Sequence, residues 1–107
     1  MTVSAPPVVS PGRIVDIATG FMGAKQLFAA SRIGLFRALA DGPRTSLELA
    51  GDTGRTEREV RILADAMLAL GLLSRDDLGY RLAADAAAYL SGREELDLAP
   101  FLAFLND

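Results

Sequence analysis

The 107 residues predict a mainly α fold with one small β-hairpin. Three observations carry that prediction. Apolar residues recur at helical spacing through most of the chain, beginning with Ile14, Ile17, Ala18, Phe21 and Phe28 on one face. Thr45 and Thr56 each stand three positions before a glutamate, the pattern of an N-terminal capping box. Leu72-Leu73-Ser74-Arg75 and Gly79-Tyr80-Arg81-Leu82 flank Asp76-Asp77-Leu78 as two short strands flank a turn.

Taken in order, residues 1–11 contain Pro6, Pro7 and Pro11 and read as a flexible arm ahead of one domain over residues 12–107. The first helix adds Val15, Met22 and Ala29 beside its main apolar face. Asp16, Lys25 and Gln26 cover little of it, so it expects burial on several sides. Gly20 and Gly23 lie inside it, each costing about 1 kcal/mol of helix propensity relative to Ala. Their small size would permit close helix approach. Gly34 breaks the pattern before a short helix from Leu35 to Ala40, which Asp41-Gly42-Pro43 ends. The Thr45 box starts a helix that stops near Gly54. The Thr56 box starts a longer one carrying Val60, Leu63, Ala64, Met67 and Leu70, with Gly71 as its stop. Beyond the hairpin come a short helix from Asp85 to Leu90 and a polar break at residues 91–95. The tail then places Leu98, Phe101, Leu102 and Leu105 at i, i+3, i+4 and i+7, widened by Ala103 and Phe104. Helix, turn, capped helix and hairpin in this order make a winged helix-turn-helix core with a β-hairpin wing, plus apolar N- and C-terminal helices.

Composition narrows the chemistry. The chain has no cysteine and no histidine. Disulfides, thiolate metal sites and cysteine nucleophiles are excluded, and so is the side chain most used for proton transfer near neutral pH. No metal site and no catalytic residue is expected. No G-x-G-x-x-G or G-x-x-x-x-G-K-[ST] loop occurs. Gly20-Phe21-Met22-Gly23 has the letters of a GxxG loop but sits in a helical pattern, where helix packing explains it. Asp76-Asp77 and Glu94-Glu95 read as solvated charges, and Tyr80 as a packing residue beside the wing. No apolar run approaches the roughly 18 residues of a membrane span, and no targeting signal is visible. A cytoplasmic protein is expected.

The winged helix raises the question of DNA. Residues 1–55 hold six basic and four acidic groups, whereas residues 56–107 hold five basic and ten acidic. The half with the recognition-helix position and the wing is therefore the acidic half. Arg58 and Arg61 face outward with Ile62 and Asp65, and the wing tip carries Asp76-Asp77. Phosphate contacts dominate DNA affinity and want a basic surface there. A compact helical core with a wing is preferred over a DNA binder. The remaining feature is excess apolar surface on the first and last helices, which expects an interface.

At this point the chain resembles a known family. Gly20-Phe21 through Ala29-Ala30, Ile33 to Leu39, Leu47-Glu48-Leu49-Ala50, Ala69 to Leu73 and Gly79 to Leu82 occur in the order seen in one group. These are the S-adenosylmethionine-dependent small-molecule O-methyltransferases of the plant caffeate and bacterial polyketide type. The resemblance covers residues 12–105 and only the N-terminal dimerisation domain of that group. It implies a homodimer in which the leading helix lends apolar side chains to the partner's acceptor pocket. Ile17, Phe21 and Met22 are the expected substrate-lining residues. Ile14, Phe28, Leu98, Phe101, Leu102 and Leu105 are the expected dimer interface. The resemblance places S-adenosylmethionine and a histidine base in a Rossmann-like domain outside these residues, so this chain is expected to bind no cofactor itself. An excised domain, a truncated protein and a stand-alone relative all stay open.

The resulting expectation is a dimerisation and substrate-pocket-lining domain of a methyltransferase acting on a small polyketide or aromatic acceptor. The alternatives are a small dimeric winged-helix regulator that binds DNA through Arg58 and Arg61, and a stand-alone interaction module.

Overall fold

The first helix, α1 (Gly12–Ile33), runs 22 residues without a break in the computed structural model, which describes residues 10–92 and 97–106. Its end is set by Gly34, whose φ of 87° only glycine adopts freely, and whose N–H is donated to the Ala30 and Ser31 carbonyls. The chain then forms α2 (Leu35–Ala38), α3 (Ser46–Thr53), α4 (Glu57–Ala69), β1 (Leu73–Asp76), β2 (Gly79–Leu82), α5 (Ala84–Tyr89) and α6 (Ala99–Asn106). The order is the winged helix-turn-helix that the sequence predicts. Most of the flexible-arm expectation falls on residues 1–9, outside the described residues.

Capping explains why α3 and α4 start where they do. The Glu48 N–H is donated to Thr45 Oγ1 at 3.1 Å, and the Thr45 N–H is returned to Glu48 Oε1 at 2.9 Å. That is a complete capping box. The second box is corrected to half of one. Thr56 Oγ1 accepts from the Glu59 N–H at 3.1 Å, but the Glu59 carboxylate lies 3.9 Å from Arg55 instead of reaching back. Helix α4 closes on Gly71, with Leu72 N–H bonded to Met67 O at 2.9 Å and Gly71 N–H to Leu68 O at 3.1 Å, the two bonds of a Schellman motif. Two bounds also differ. Helix α2 ends at Ala38, and the strands pair Leu73 with Leu82 through Asp76 with Gly79, one residue later on β1 than predicted.

The core is built from one face of each element. Leu35, Phe36 and Leu39 enter it from the α2 region, Leu49 from α3, and Val60, Ala64 and Met67 from α4 at helical spacing. Leu73 and Tyr80 close it from the hairpin, with Ala86, Leu90 and Leu102 beneath α5 and α6. The second half of α1 supplies buried Ala30 and half-buried Leu27, Phe28 and Ile33. It packs on α4 and α6. At Gly23 an added Cβ would make ordinary van der Waals contact with the Leu70 side chain at 3.5 Å, and at Gly20 nothing lies within 4 Å. Neither position requires glycine for close helix approach.

The wing is tied to α3 through a third backbone segment. Arg44 N–H is donated to Tyr80 O at 3.0 Å, and Tyr80 N–H to Arg44 O at 2.9 Å. This isolated bridge extends the hairpin onto the residue that precedes the Thr45 cap. Gly79 makes it possible. Its φ is 117°, and an added Cβ would run into the Arg44 carbonyl and come within 2.8 Å of Thr45 N.

Two outcomes follow for stability. Gly79→Ala should lose about 3 kcal/mol or more in urea unfolding, because backbone is in the way. Gly54→Ala, with positive φ but open space, should lose only about 1–2 kcal/mol. The Thr45 N–H and hydroxyl hold the Glu48 carboxyl below its ordinary value of 4.5. Its stabilisation is therefore present above that value and lost as pH falls through the lower folded one. Glu48→Gln should flatten the acid limb of a stability–pH curve.

Candidate interaction site

The functional surface is apolar, and two helices build it. Along α1 the first buried position is Gly23. Before it, Ile14, Val15, Ile17, Phe21 and Met22 all face solvent, with Ile17 66% and Phe21 64% exposed. On α6, Phe101, Phe104 and Leu105 point outward, and Leu98 stands at its entry. Helix α6 packs on α1, and Phe28, Ser31 and Arg32 of α1 line a cleft with Ala99, Leu102 and Ala103 of α6. Exposed apolar side chains in such number make these two helices the candidate interaction surface.

The predicted site residues divide into two groups. Ile14, Ile17, Phe21, Met22, Leu98, Phe101 and Leu105 are exposed and available. Leu102 is only 8% exposed and belongs to the chain's own core, where it anchors α6. Phe28 is half-buried and packs against that core. It also lines a cleft of about 570 Å³ between α1 and α6, together with Leu102, Ala99, Arg32 and Arg37. Leu47, Ile62 and Leu78 are also exposed, on α3, α4 and the wing tip. The sequence signal for Ile62 was its place on the outward α4 face, and nothing in the local pattern marked Leu47 or Leu78.

Charges around the apolar rows are few and positioned. Lys25 Nζ lies 5.6 Å from the Phe21 ring centroid, so an ammonium shields one exposed aromatic face. Arg37 reaches Asp97 at 3.5 Å across the cleft mouth.

The recognition-helix face is different in kind. Arg58, Arg61 and Ile62 share a shallow depression with Glu57 and Asp65. Asp65 is already committed to the wing. The Tyr80 hydroxyl donates to its Oδ1 at 2.5 Å, and Arg75 approaches the same oxygen at 3.8 Å. Burial, then the Asp65 contact, pushes the Tyr80 phenol above its ordinary value, while Arg75 opposes the shift. Tyr80 is therefore a core residue with its polar end tied down, more buried than a packing residue beside the wing. At the wing tip Asp76 accepts from the Leu78 N–H at 2.9 Å and from Arg81 at 2.7 Å. These bonds hold its carboxyl below the ordinary range.

Among the described residues no group of three or more His, Cys, Asp or Glu could hold a metal ion. Among them, too, no helix is long and apolar enough to cross a membrane. The arrangement is that of a winged-helix module with exposed apolar side chains on its first and last helices.

The comparisons with known proteins agree with that class. The sequence model of the O-methyltransferase dimerisation domain matches residues 15–92, and the chain belongs to that family. A 3-hydroxy-5-methyl-1-naphthoate 3-O-methyltransferase of Streptomyces sahachiroi is 42% identical over 85 residues, 79% of this chain and 25% of its own. The N,N-dimethyltransferase OxyT of Streptomyces rimosus is 35% identical over 95 residues, 88% of this chain and 28% of its own. The crystal structure of human N-acetylserotonin methyltransferase with S-adenosylmethionine superposes with a TM-score of 0.84 at 26% identity, covering 99% of this chain and 32% of that one. The chain thus spans about a quarter to a third of the length of these relatives.

The Tyr80 contact gives a direct check. Tyr80→Phe keeps the ring and removes the hydroxyl, leaving Asp65 without its donor. It should cost about 1–2 kcal/mol in chemical unfolding. Removing Asp65 as well, as Asp65→Ala in a double-mutant cycle, should show coupling between the two.

Proposed function

We propose that this chain dimerises with an identical copy and lines the acceptor pocket of an S-adenosylmethionine-dependent methyltransferase that acts on a small aromatic or polyketide acceptor. The observation that carries the reading is the apolar side chains left unburied on the first half of α1 and on the outward face of α6. The family match and the naphthoate and OxyT enzymes support it. Ile14, Phe28, Leu98, Phe101 and Leu105 form the dimer contact, with Leu102 holding α6 in place from inside. Ile17, Phe21 and Met22 lie where α1 reaches past its own core, and they are the side chains that meet the acceptor in the partner. An aromatic acceptor suits them, because a flexible thioether and an aromatic ring adapt to flat apolar ligands.

The cofactor of such an enzyme does not fit the described residues. The resemblance places S-adenosylmethionine on a Rossmann-like parallel sheet, with a glycine-rich turn opening a helix at a strand's C-terminal end. The sheet here is a two-stranded antiparallel hairpin. Cofactor binding and proton removal belong to the rest of such an enzyme, and the part played by these residues is association and pocket walls.

Self-association tests the reading. Sedimentation of the chain should give a dimer. Ile14→Asp with Phe101→Asp should weaken it at least about 100-fold by placing carboxylates in a desolvated contact, with helix content in the folded core unchanged. A wild-type monomer at high concentration would overturn it. In a complete enzyme carrying this domain, Met22→Ala should raise KM for the aromatic acceptor about tenfold and leave that for S-adenosylmethionine unmoved.

A further inference from the structure

We infer that a second copy of this chain is the template on which the first half of α1 becomes stably helical. In a lone copy, residues 12–22 open readily while the rest of the domain stays folded. The inference rests on the self-association proposed above and adds a conformational consequence to it.

Three observations on α1 lead there. First, no described side chain on this half is buried. Each one from Arg13 to Met22 is exposed, and burial begins at Gly23. Most helical stability in proteins comes from packing of one face, and among the described residues this stretch has no such face. Second, its local sequence is a poor helix former. Ile14, Val15 and Ile17 are β-branched, and Gly20 sits in open space with no packing to compensate its backbone freedom. Third, its start is lightly held. Pro11 at the N-cap offers no side-chain acceptor, the first turn carries no acidic residue, and the side-chain bond there is an exposed one from Gly12 N–H to Ser10 Oγ at 3.1 Å. The contrast within the molecule is sharp. Helix α3 is much shorter but has a complete capping box and buried Leu49, while α6 has buried Leu102.

A second copy is the occupant that the surface fits. The chain carries two exposed apolar rows, one on the first half of α1 and one on α6, which packs on the covered half of α1. A two-fold pairing lets each copy offer α6 to the other's α1 and bury both rows at once. The family to which the chain belongs is a dimerisation domain. Binding that orders a segment shows itself as protection that follows occupancy.

Hydrogen exchange read by mass spectrometry, at concentrations below and above the association midpoint found by sedimentation, tests this. Amides of residues 15–22 should be at least about tenfold more protected in the dimer than in the monomer. Amides of Val60 to Met67 should change less than about twofold. Phe101→Asp, which leaves the sequence of α1 untouched, should abolish the gain over residues 15–22 at a concentration where the wild type shows it. Equal protection of residues 15–22 in monomer and dimer overturns the inference and leaves the dimer reading standing. So does a gain that persists in a dimeric Phe101→Asp chain, because α6 would then not be the template. A chain that stays monomeric by sedimentation overturns both.

Discussion

A 22-residue helix is about 33 Å long, and the body that α1 packs on is not long enough to cover it. The described molecule measures 63 Å along its longest axis but only 32 and 24 Å across. Something must overhang. The half that stays is chosen by what α4 and α6 offer. Leu70 receives Gly23, and the core receives Ala30, Leu27, Phe28 and Ile33. The half that leaves carries Ile14, Ile17, Phe21 and Met22 into solvent. The placement of α6 depends on the same constraint. Leu102 turns inward against the covered part of α1, so Phe101, Phe104 and Leu105 must turn outward.

The remainder of the domain is stabilised by short-range devices and does not need the overhang. Arg44 joins three of them. Its backbone bridges Tyr80, its guanidinium grips both Asp52 oxygens at 2.9 Å and reaches Glu48 at 3.3 Å, and the next residue caps α3. Tyr80 carries the link on to Asp65 on α4. The carboxylates and guanidinium groups of the wing and α4 thus spend much of their charge on one another. In the wing, Arg75 and Arg81 face Asp65 and Asp76, while Arg58 and Arg61 on α4 share their surface with Glu57 and Asp65, which offers phosphate little net positive charge.

Much of this was legible in the sequence because local chemistry decides it. Gly34, Gly71 and the Thr45–Glu48 pair each fix a boundary through hydrogen bonds made within five residues, so reading them needs no tertiary knowledge. The second capping box was misread because Glu59 has a rival in Arg55, four residues before it, and only geometry ranks the two. The strand register slipped by one because Leu72 and Leu73 are both apolar, and alternation cannot choose between them. The apolar stripe Leu98, Phe101, Leu102 and Leu105 was found, but its facing was not. A stripe seeking its own core and a stripe seeking a partner have the same spacing, and Leu102 and Phe101 differ only in which surface reached them first. The half-buried state of Phe28 has the same origin, since it touches the core with one edge and the α1–α6 cleft with the other.

Exposed apolar surface of this extent is an aggregation hazard unless it is restrained. Three features restrain it here. Lys25 lies over the Phe21 ring, which keeps a cation on one of the largest exposed side chains. The α6 part of the surface is helical, so its backbone polar groups are already paired and offer no strand edge. And a segment that is stably ordered only when covered gives a lone chain no rigid apolar template for unrelated partners. Specificity then comes from geometry, because only a surface that meets α1 and α6 together repays the ordering of residues 12–22. The relatives include enzymes named for O- and for N-methyl transfer. On the reading proposed above, in which the domain supplies association and apolar lining, the same fold serves either acceptor atom.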